Sequence, residues 1–107
     1  TVTVPTGTST PLMSITVDAG TWIIRAYIRF PSMGTDRTKY VQANISSQSG
    51  ATGYHLRGPA ENMIVQSEIV TMVKPTSTTT YYLNAYHNTG SNKTFPTGQA
   101  MRVVRIA

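Results

Sequence analysis

The chain of 107 residues is the size of one domain. Apolar residues make up 39 % of it and charged residues 12 %, against roughly 45–50 % and 25 % in an average globular domain; Thr, Ser, Asn and Gly fill the difference, which speaks against a helical protein and for hydroxyl-rich sheets and loops. Nine Lys and Arg against four Asp and Glu leave a net charge of +5, but the basic residues are scattered without a run, so the charge describes a mildly basic surface, or one drawn to an anionic surface such as a phosphate-bearing glycan, and not a nucleic-acid module.

In chain order, residues 1–11 (TVTVPTGTSTP) read as a short edge strand over 1–4 followed by a linker, with Pro5, Gly7 and Pro11 breaking any regular run. This opening looks like a tether from an upstream stalk, and residues 12–107 read as one head domain. LMSITV, 12–17, is a strand, and Asp18-Ala19-Gly20 turns it into TWIIRAYIRF, 21–30, the most strand-like run of the chain. There Trp22, Ile24, Ala26, Ile28 and Phe30 make one apolar face, worth ~1.5–3 kcal/mol per large side chain when buried. Ile23, Arg25, Tyr27 and Arg29 make the other, a poor core and a reasonable interface.

Residues 31–36 are a loop, and residues 37–47 alternate again. SSQSGATG, 46–53, is a flexible connection. Residues 54–56, 62–65 and 68–73 are three short strand candidates, with Arg57-Gly58-Pro59-Ala60 as a turn. TTTYYLNAYHNTG, 78–90, is the clearest strand of the second half. Its Tyr81, Leu83, Ala85 and His87 fall on one face and Tyr82, Asn84 and Tyr86 on the other. Both faces carry large groups, so the second is expected to meet another sheet, another chain or a ligand. Residues 91–95 are a hairpin return or a loop, and QAMRVVRIA, 99–107, closes the chain. Strict alternation sends one of Arg102 and Arg105 inward unless the strand bulges. Strands recurring every ~8–12 residues with turn signals between them indicate an antiparallel sandwich or barrel.

Chemical signatures are sparse. The absence of cysteine removes disulfides, Cys-based zinc sites and thiol catalysis, and makes oligomerisation the leading source of extra stability. No apolar run approaches the ~20 residues of a membrane helix. No leader is legible ahead of TVTVPTGTST, and the start looks like a piece of a longer protein. Asp18, Asp36, Glu61 and Glu68 are dispersed, without the converging pair of a glycosidase. His55 and His87 lack a metal-binding spacing, no serine sits in a GxSxG elbow, and no phosphate-binding glycine loop is present. The chain reads as neither an enzyme nor a metal or cofactor protein. The triplets at Asn44 and Asn92 match the glycosylation pattern, which arises often by chance in so Asn- and Thr-rich a chain.

TTTYYLNAYHNTG followed by AMRVVRIA resembles the last two strands of the C1q/TNF-like jelly rolls that cap bacteriophage tail fibres and bacterial collagen-like stalks. LMSITVDAGTWIIRAYIRF resembles the earlier part of the same fold, with Trp22 where that family usually has Tyr and Arg37 where a polar residue opens the next strand. The middle, 46–65, carries no such motif. The resemblance implies an all-β, antiparallel jelly-roll β-sandwich that forms a homotrimer, with Tyr82, Tyr86 and Tyr27 as candidates for an aromatic layer on the threefold axis. It further implies a receptor-binding head of a phage tail fibre or baseplate, exposed on the virion tail and adsorbing to a host cell-surface saccharide. The competing class is a structural trimerisation cap that binds nothing.

A glycan site combines an aromatic platform with hydrogen-bonding groups carried on loops. Tyr54, His55 and Arg57 are the first candidates, followed by Asp36 and Arg37 with Tyr40. His87, Asn88 and Asn92 form a weaker third option, placed at the end of the sheet away from the first.

Overall fold

The structure, a computed structural model, describes residues 1–60 and 66–107. Among these it is entirely β: β1 (Val2–Val4), β2 (Thr10–Val17), β3 (Trp22–Arg29), β4 (Tyr40–Ser46), β5 (Leu56–Pro59), β6 (Gln66–Val73), β7 (Thr79–His87), β8 (Lys93–Phe95) and β9 (Ala100–Arg105). All pairings are antiparallel. One sheet has the order β2-β7-β4-β5, a second β6-β3-β9, and β1 pairs with β8 as a two-stranded ribbon. The pairs β1–β8, β2–β7, β3–β6 and β4–β5 nest inside one another like a hairpin folded back along its length.

The two larger sheets share one core, as the layers of a β-sandwich do. β2 lies against β9 and β4 against β6. Period-two geometry selects the inward residues. From β3 these are Ile24, Ala26 and Ile28, fully buried; from β7, Leu83, Ala85 and His87; from β4, Val41, Ala43 and Ile45. Phe30 and Phe95 close one part of it edge-to-face, with ring centroids 5.8 Å apart, the preferred geometry for two aromatic quadrupoles.

Several local expectations change once pairing partners are known. Thr10 and Pro11 belong to β2 and not to a linker. Pro11 is tolerated because β2 is an edge strand and its register shifts between Pro11 and Met13. Residues 57–59, expected to turn, are strand, since Arg57 and Gly58 pair with Gln42 and Val41. Thr38 and Lys39, expected in a strand, sit in the turn before β4. Residues 93–95 are a strand because β1 pairs with them. The strand expected at 62–65, and Glu61, lie outside the described residues.

The β2–β3 turn is held by side chain and backbone together. The Trp22 indole N–H donates to the Asp18 carbonyl at 2.9 Å, and Gly20 N–H donates to the Pro75 carbonyl at 3.1 Å. Gly20 has φ +145, and a Cβ there would meet the Ala107 carbonyl oxygen at 2.9 Å. Just ahead of β9, the Gln99 side chain continues the sheet. Its Oε1 accepts from Arg29 N–H at 2.7 Å and its Nε2 donates to the Arg29 carbonyl at 2.8 Å, which imitates a ladder pair.

Candidate functional site

The outward face of the β2-β7-β4-β5 sheet carries an unusual row. Register sets Gln42 beside Tyr86 and Arg57, Asn44 beside Asn84, and Ser46 beside Tyr82. Gln42, Asn44 and Asn84 are nevertheless buried. The chain's own 47–55 segment folds back over them, so the second face of β7 meets an intramolecular loop at Asn84.

Amide groups hold that loop down. Asn84 Nδ2 donates to Asn44 Oδ1 at 3.0 Å and to the Gln48 carbonyl at 3.1 Å, and Asn84 Oδ1 accepts from Gly50 N–H at 2.9 Å. Asn44 Nδ2 donates to the carbonyls of Ala51 (2.9 Å) and Gly53, and Gln42 Nε2 to that of Thr52 at 3.1 Å. Ser9 adds a 2.6 Å bond from its hydroxyl to the Ala51 carbonyl. Three side-chain amides thus satisfy the polar backbone of a loop that has no ladder of its own. The glycosylation triplet at Asn44 is consumed by this role.

The loop delivers Tyr54 and His55 to the edge of β4. His55 N–H donates to the Ala43 carbonyl at 2.8 Å, and His55 Nδ1 accepts from Ile45 N–H at 3.0 Å. That acceptance places the proton of the neutral ring on Nε2. Beyond the backbone of His55, an open cavity of about 400 Å³ is lined by Asn44, Ile45, Ser46, Ala51, Gly53, Tyr54 and His55. The Ser46 hydroxyl there accepts from Gln48 N–H at 3.1 Å and keeps its own proton free to donate.

Beside the cavity, four side chains stack in series. The Tyr86 and Tyr40 rings are stacked, centroids 5.8 Å apart and planes 27° from parallel. The Arg57 guanidinium lies 4.1 Å from the Tyr40 centroid and 5.2 Å from that of Tyr54. Each such cation–π contact is worth roughly 0.5–1 kcal/mol at an exposed site. A hydrogen bond with Tyr40 and partial desolvation hold the Tyr86 phenol above its usual value. Asn88 fixes Tyr40 from below: its Oδ1 accepts from Tyr40 N–H at 2.8 Å and its N–H donates to the Tyr40 carbonyl at 3.3 Å.

The structure therefore brings Tyr54, His55, Arg57 and Tyr40 together and adds Tyr86 to them. Asp36 is otherwise engaged. Its carboxylate accepts from the Thr38 hydroxyl at 2.6 Å and the Thr38 N–H at 2.9 Å, and these bonds hold its pKa below the ordinary value. Arg37 is in the same exposed turn. The expectation that the His87–Asn92 end lies away from the first ligand loop is corrected, since Asn88 braces the Tyr40 of the stack.

His87 itself is a structural tie. It is fully buried, its Nε2 2.8 Å from the Val4 carbonyl and its Nδ1 2.9 Å from the Thr89 hydroxyl. The bond to a carbonyl requires an Nε2–H donor, so the imidazole pins β1 to β7. Burial holds its pKa below the usual value, the Val4 bond opposing and the Lys93 charge assisting.

Tyr27 lies elsewhere. It faces outward on the β6-β3-β9 sheet, opposite Glu68 and Ala100, whereas Tyr82 and Tyr86 face outward from the other sheet. Around Tyr27 the outward rows read Met72–Ile23–Val104 and Val70–Arg25–Arg102. Val70, Met72, Val104 and nearby Ile106 are all more than half exposed. Arg102 shares this face directly opposite Arg25, and Arg25 is drawn to Glu68 at 3.3 Å. Arg105 has inward parity but sits at the end of the strand, its guanidinium 5.8 Å from the Trp22 ring centroid, so a strand-end arginine covers an indole.

Sequence reasoning missed Asn44 and Asn84, and offered Asn88 as a ligand-site option where the structure makes it the brace of Tyr40. Mid-strand Asn is disfavoured in sheets, and two such residues on one face are the signal that a polar network covers it. No protein-family model, curated protein or solved structure matches this chain.

Proposed function

We propose that the chain is a jelly-roll head that assembles as a homotrimer through its β6-β3-β9 sheet and binds a cell-surface saccharide on the opposite sheet. The observation that carries the binding half is the Tyr86–Tyr40–Arg57–Tyr54 stack with a 400 Å³ cavity beside it. Sugars present axial C–H groups that lie on aromatic faces and hydroxyls that need fixed donors and acceptors. The exposed Tyr54 ring, next to the Ser46 hydroxyl and the His55 imidazole that line the cavity and the Arg57 guanidinium, supplies both.

The strand order supports the jelly roll. With β8 and β9 taken as two halves of one last strand, interrupted at 96–99, the orders become 1-8-3-6 and 2-7-4-5. A double-sheet jelly roll produces those orders when a long hairpin is wrapped.

Exposed Val70, Met72, Val104 and Ile106 support the assembly half. A contiguous apolar patch on a small domain marks an interface, and Arg102 opposite Arg25, with Glu68 paired to Arg25, provides charges that copies can exchange. Assembly through this sheet leaves the Tyr54 side open. On this reading Tyr27 lines the axis, while Tyr82 and Tyr86 belong to the binding face. A trimeric head of this kind, at the tip of a phage tail fibre, would adsorb the particle to its host.

Two measurements test the halves separately. Sedimentation of the wild type should give a mass three times that of the chain, and Val104→Glu with Met72→Glu should give monomer. A folded wild-type monomer at micromolar concentration would remove the assembly half. An array of bacterial surface polysaccharides should capture the wild type and lose the Tyr54→Ala/Arg57→Ala variant. A trimer that binds no saccharide would make the domain a fibre cap.

A further inference from the structure

We infer that the Tyr40–Arg57–Tyr54 stack selects a saccharide carrying a single negative charge, with the anion on Arg57 and the adjoining sugar ring on Tyr54. The inference rests on the saccharide-binding reading above and adds its charge.

The Arg57 guanidinium is held by two rings, at 4.1 and 5.2 Å, and no carboxylate pairs with it among the described residues. The three acids among the described residues are committed or distant. Asp36 is bound by Thr38, Glu68 pairs with Arg25 on the other sheet, and Asp18 accepts from the Thr78 hydroxyl at 3.4 Å beside the β2–β3 turn. An arginine flanked by aromatic faces keeps the edges of its fork for an acceptor. Stacking also removes much of the rotamer freedom that binding would otherwise have to quench.

The neighbouring groups are donors too. His55 lines the cavity with Nδ1 already taken by Ile45 N–H, so only its N–H is left for a ligand. The Ser46 hydroxyl already accepts from Gln48. A site of one fixed positive charge and spare donors, on a chain of net charge +5, is complementary to an acceptor bearing one negative charge. Two chemistries meet that description: the carboxylate of a uronic-type sugar and the phosphodiester of a glycosyl-phosphate polymer.

The test is calorimetric titration of the full chain with four oligosaccharides of equal length: a uronate, its carboxyl-reduced counterpart, a phosphodiester-linked polymer fragment and a neutral glucan. A charged ligand is expected to bind at least roughly tenfold more tightly than the neutral ones, the range of a charge-assisted bidentate contact, and to weaken as salt rises. Preference for the uronate or for the phosphodiester identifies the source. Arg57→Gln should bring the charged ligand down to the neutral level, and Arg57→Lys should recover only part of the loss, because an ammonium lacks the fork. Thermal unfolding of both variants checks that the fold is kept. Equal binding of charged and neutral sugars, lost in Tyr54→Ala, overturns the charge selection and leaves the saccharide reading standing. Charged binding that survives Arg57→Gln also overturns it, and binding of none of the four overturns both.

Discussion

Replacing Asn84 by alanine isolates what holds the 47–55 loop on the sheet. The side chain is fully buried and makes three hydrogen bonds, to Asn44 Oδ1 (3.0 Å), the Gln48 carbonyl (3.1 Å) and Gly50 N–H (2.9 Å). A neutral hydrogen bond contributes about 1 kcal/mol net, and a buried polar atom left without a partner costs about 1–3 kcal/mol. Gln48 is exposed and can turn to water, so the main loss falls on Asn44 Oδ1 and Gly50 N–H. For these two atoms together the loss is about 2–6 kcal/mol. At about 4 °C per kcal/mol for a domain near 100 residues, the melting temperature should drop by roughly 8–24 °C. Denaturant titration should show a lower midpoint at unchanged slope, with protein concentration held fixed because assembly shifts the apparent stability. Hydrogen exchange adds the local readout: the Gly50 amide should lose protection while the Leu83 amide keeps the global value. Asn84→Ala with stability within 0.5 kcal/mol of wild type and a protected Gly50 amide would refute the view that this amide network anchors the loop. Since the loop carries Tyr54 and His55, the variant should also weaken whatever binds there, although Asn84 touches no ligand.

His87 should make stability depend on pH. Burial keeps its folded pKa below the ordinary histidine value of about 6.5, so the unfolded chain takes up a proton first as pH falls. Stability is therefore complete above about pH 6.5 and declines below it, at no more than about 1.4 kcal/mol per pH unit. His87→Gln, which keeps a donor for the Val4 carbonyl, should flatten that slope in urea titrations between pH 7 and 5; an unchanged slope would assign it to other groups. Gly20→Ala should destabilise by about 1–3 kcal/mol in thermal unfolding, from positive φ and the 2.9 Å approach to the Ala107 carbonyl; a neutral result would mean that the C-terminal residues yield easily. Gln99→Ala removes two bonds to the Arg29 backbone and should cost about 1–2 kcal/mol, with faster exchange of the Arg29 amide by NMR; protection equal to wild type would show that water replaces the side chain.

The alternation of Trp22 to Phe30 and of Tyr81 to His87 was enough to name the inward residues, and Ile24, Ala26, Ile28, Leu83 and Ala85 are indeed buried. Period two is a local property of the chain, so it survives whatever the strands pair with. Outward faces are different, because the same parity leaves Asn84 fully buried under a loop and Val70 exposed. Composition cannot separate these cases; only the path of residues 47–55 does. Of the short elements, the edge strand at Val2–Val4 was legible and its partner was not. A three-residue run such as Lys93–Phe95 is a strand only because Val2–Val4 lies beside it, and the two are about ninety residues apart in sequence.

For the candidate site, the sequence by itself singled out Tyr54, His55, Arg57 and Tyr40, because aromatic and hydrogen-bonding side chains clustered there in short runs near turns. Tertiary structure alone decided that they form one stack, that Tyr86 joins it, and that Asn88 braces it from a hairpin expected at the other end of the sheet. It also placed Tyr27 on a different sheet from Tyr82 and Tyr86. Side-chain chemistry and the two-residue period are written in the local chain. Which faces share a surface depends on pairings between distant segments, such as Gln42 with Tyr86, and those exist only once the sheets have formed.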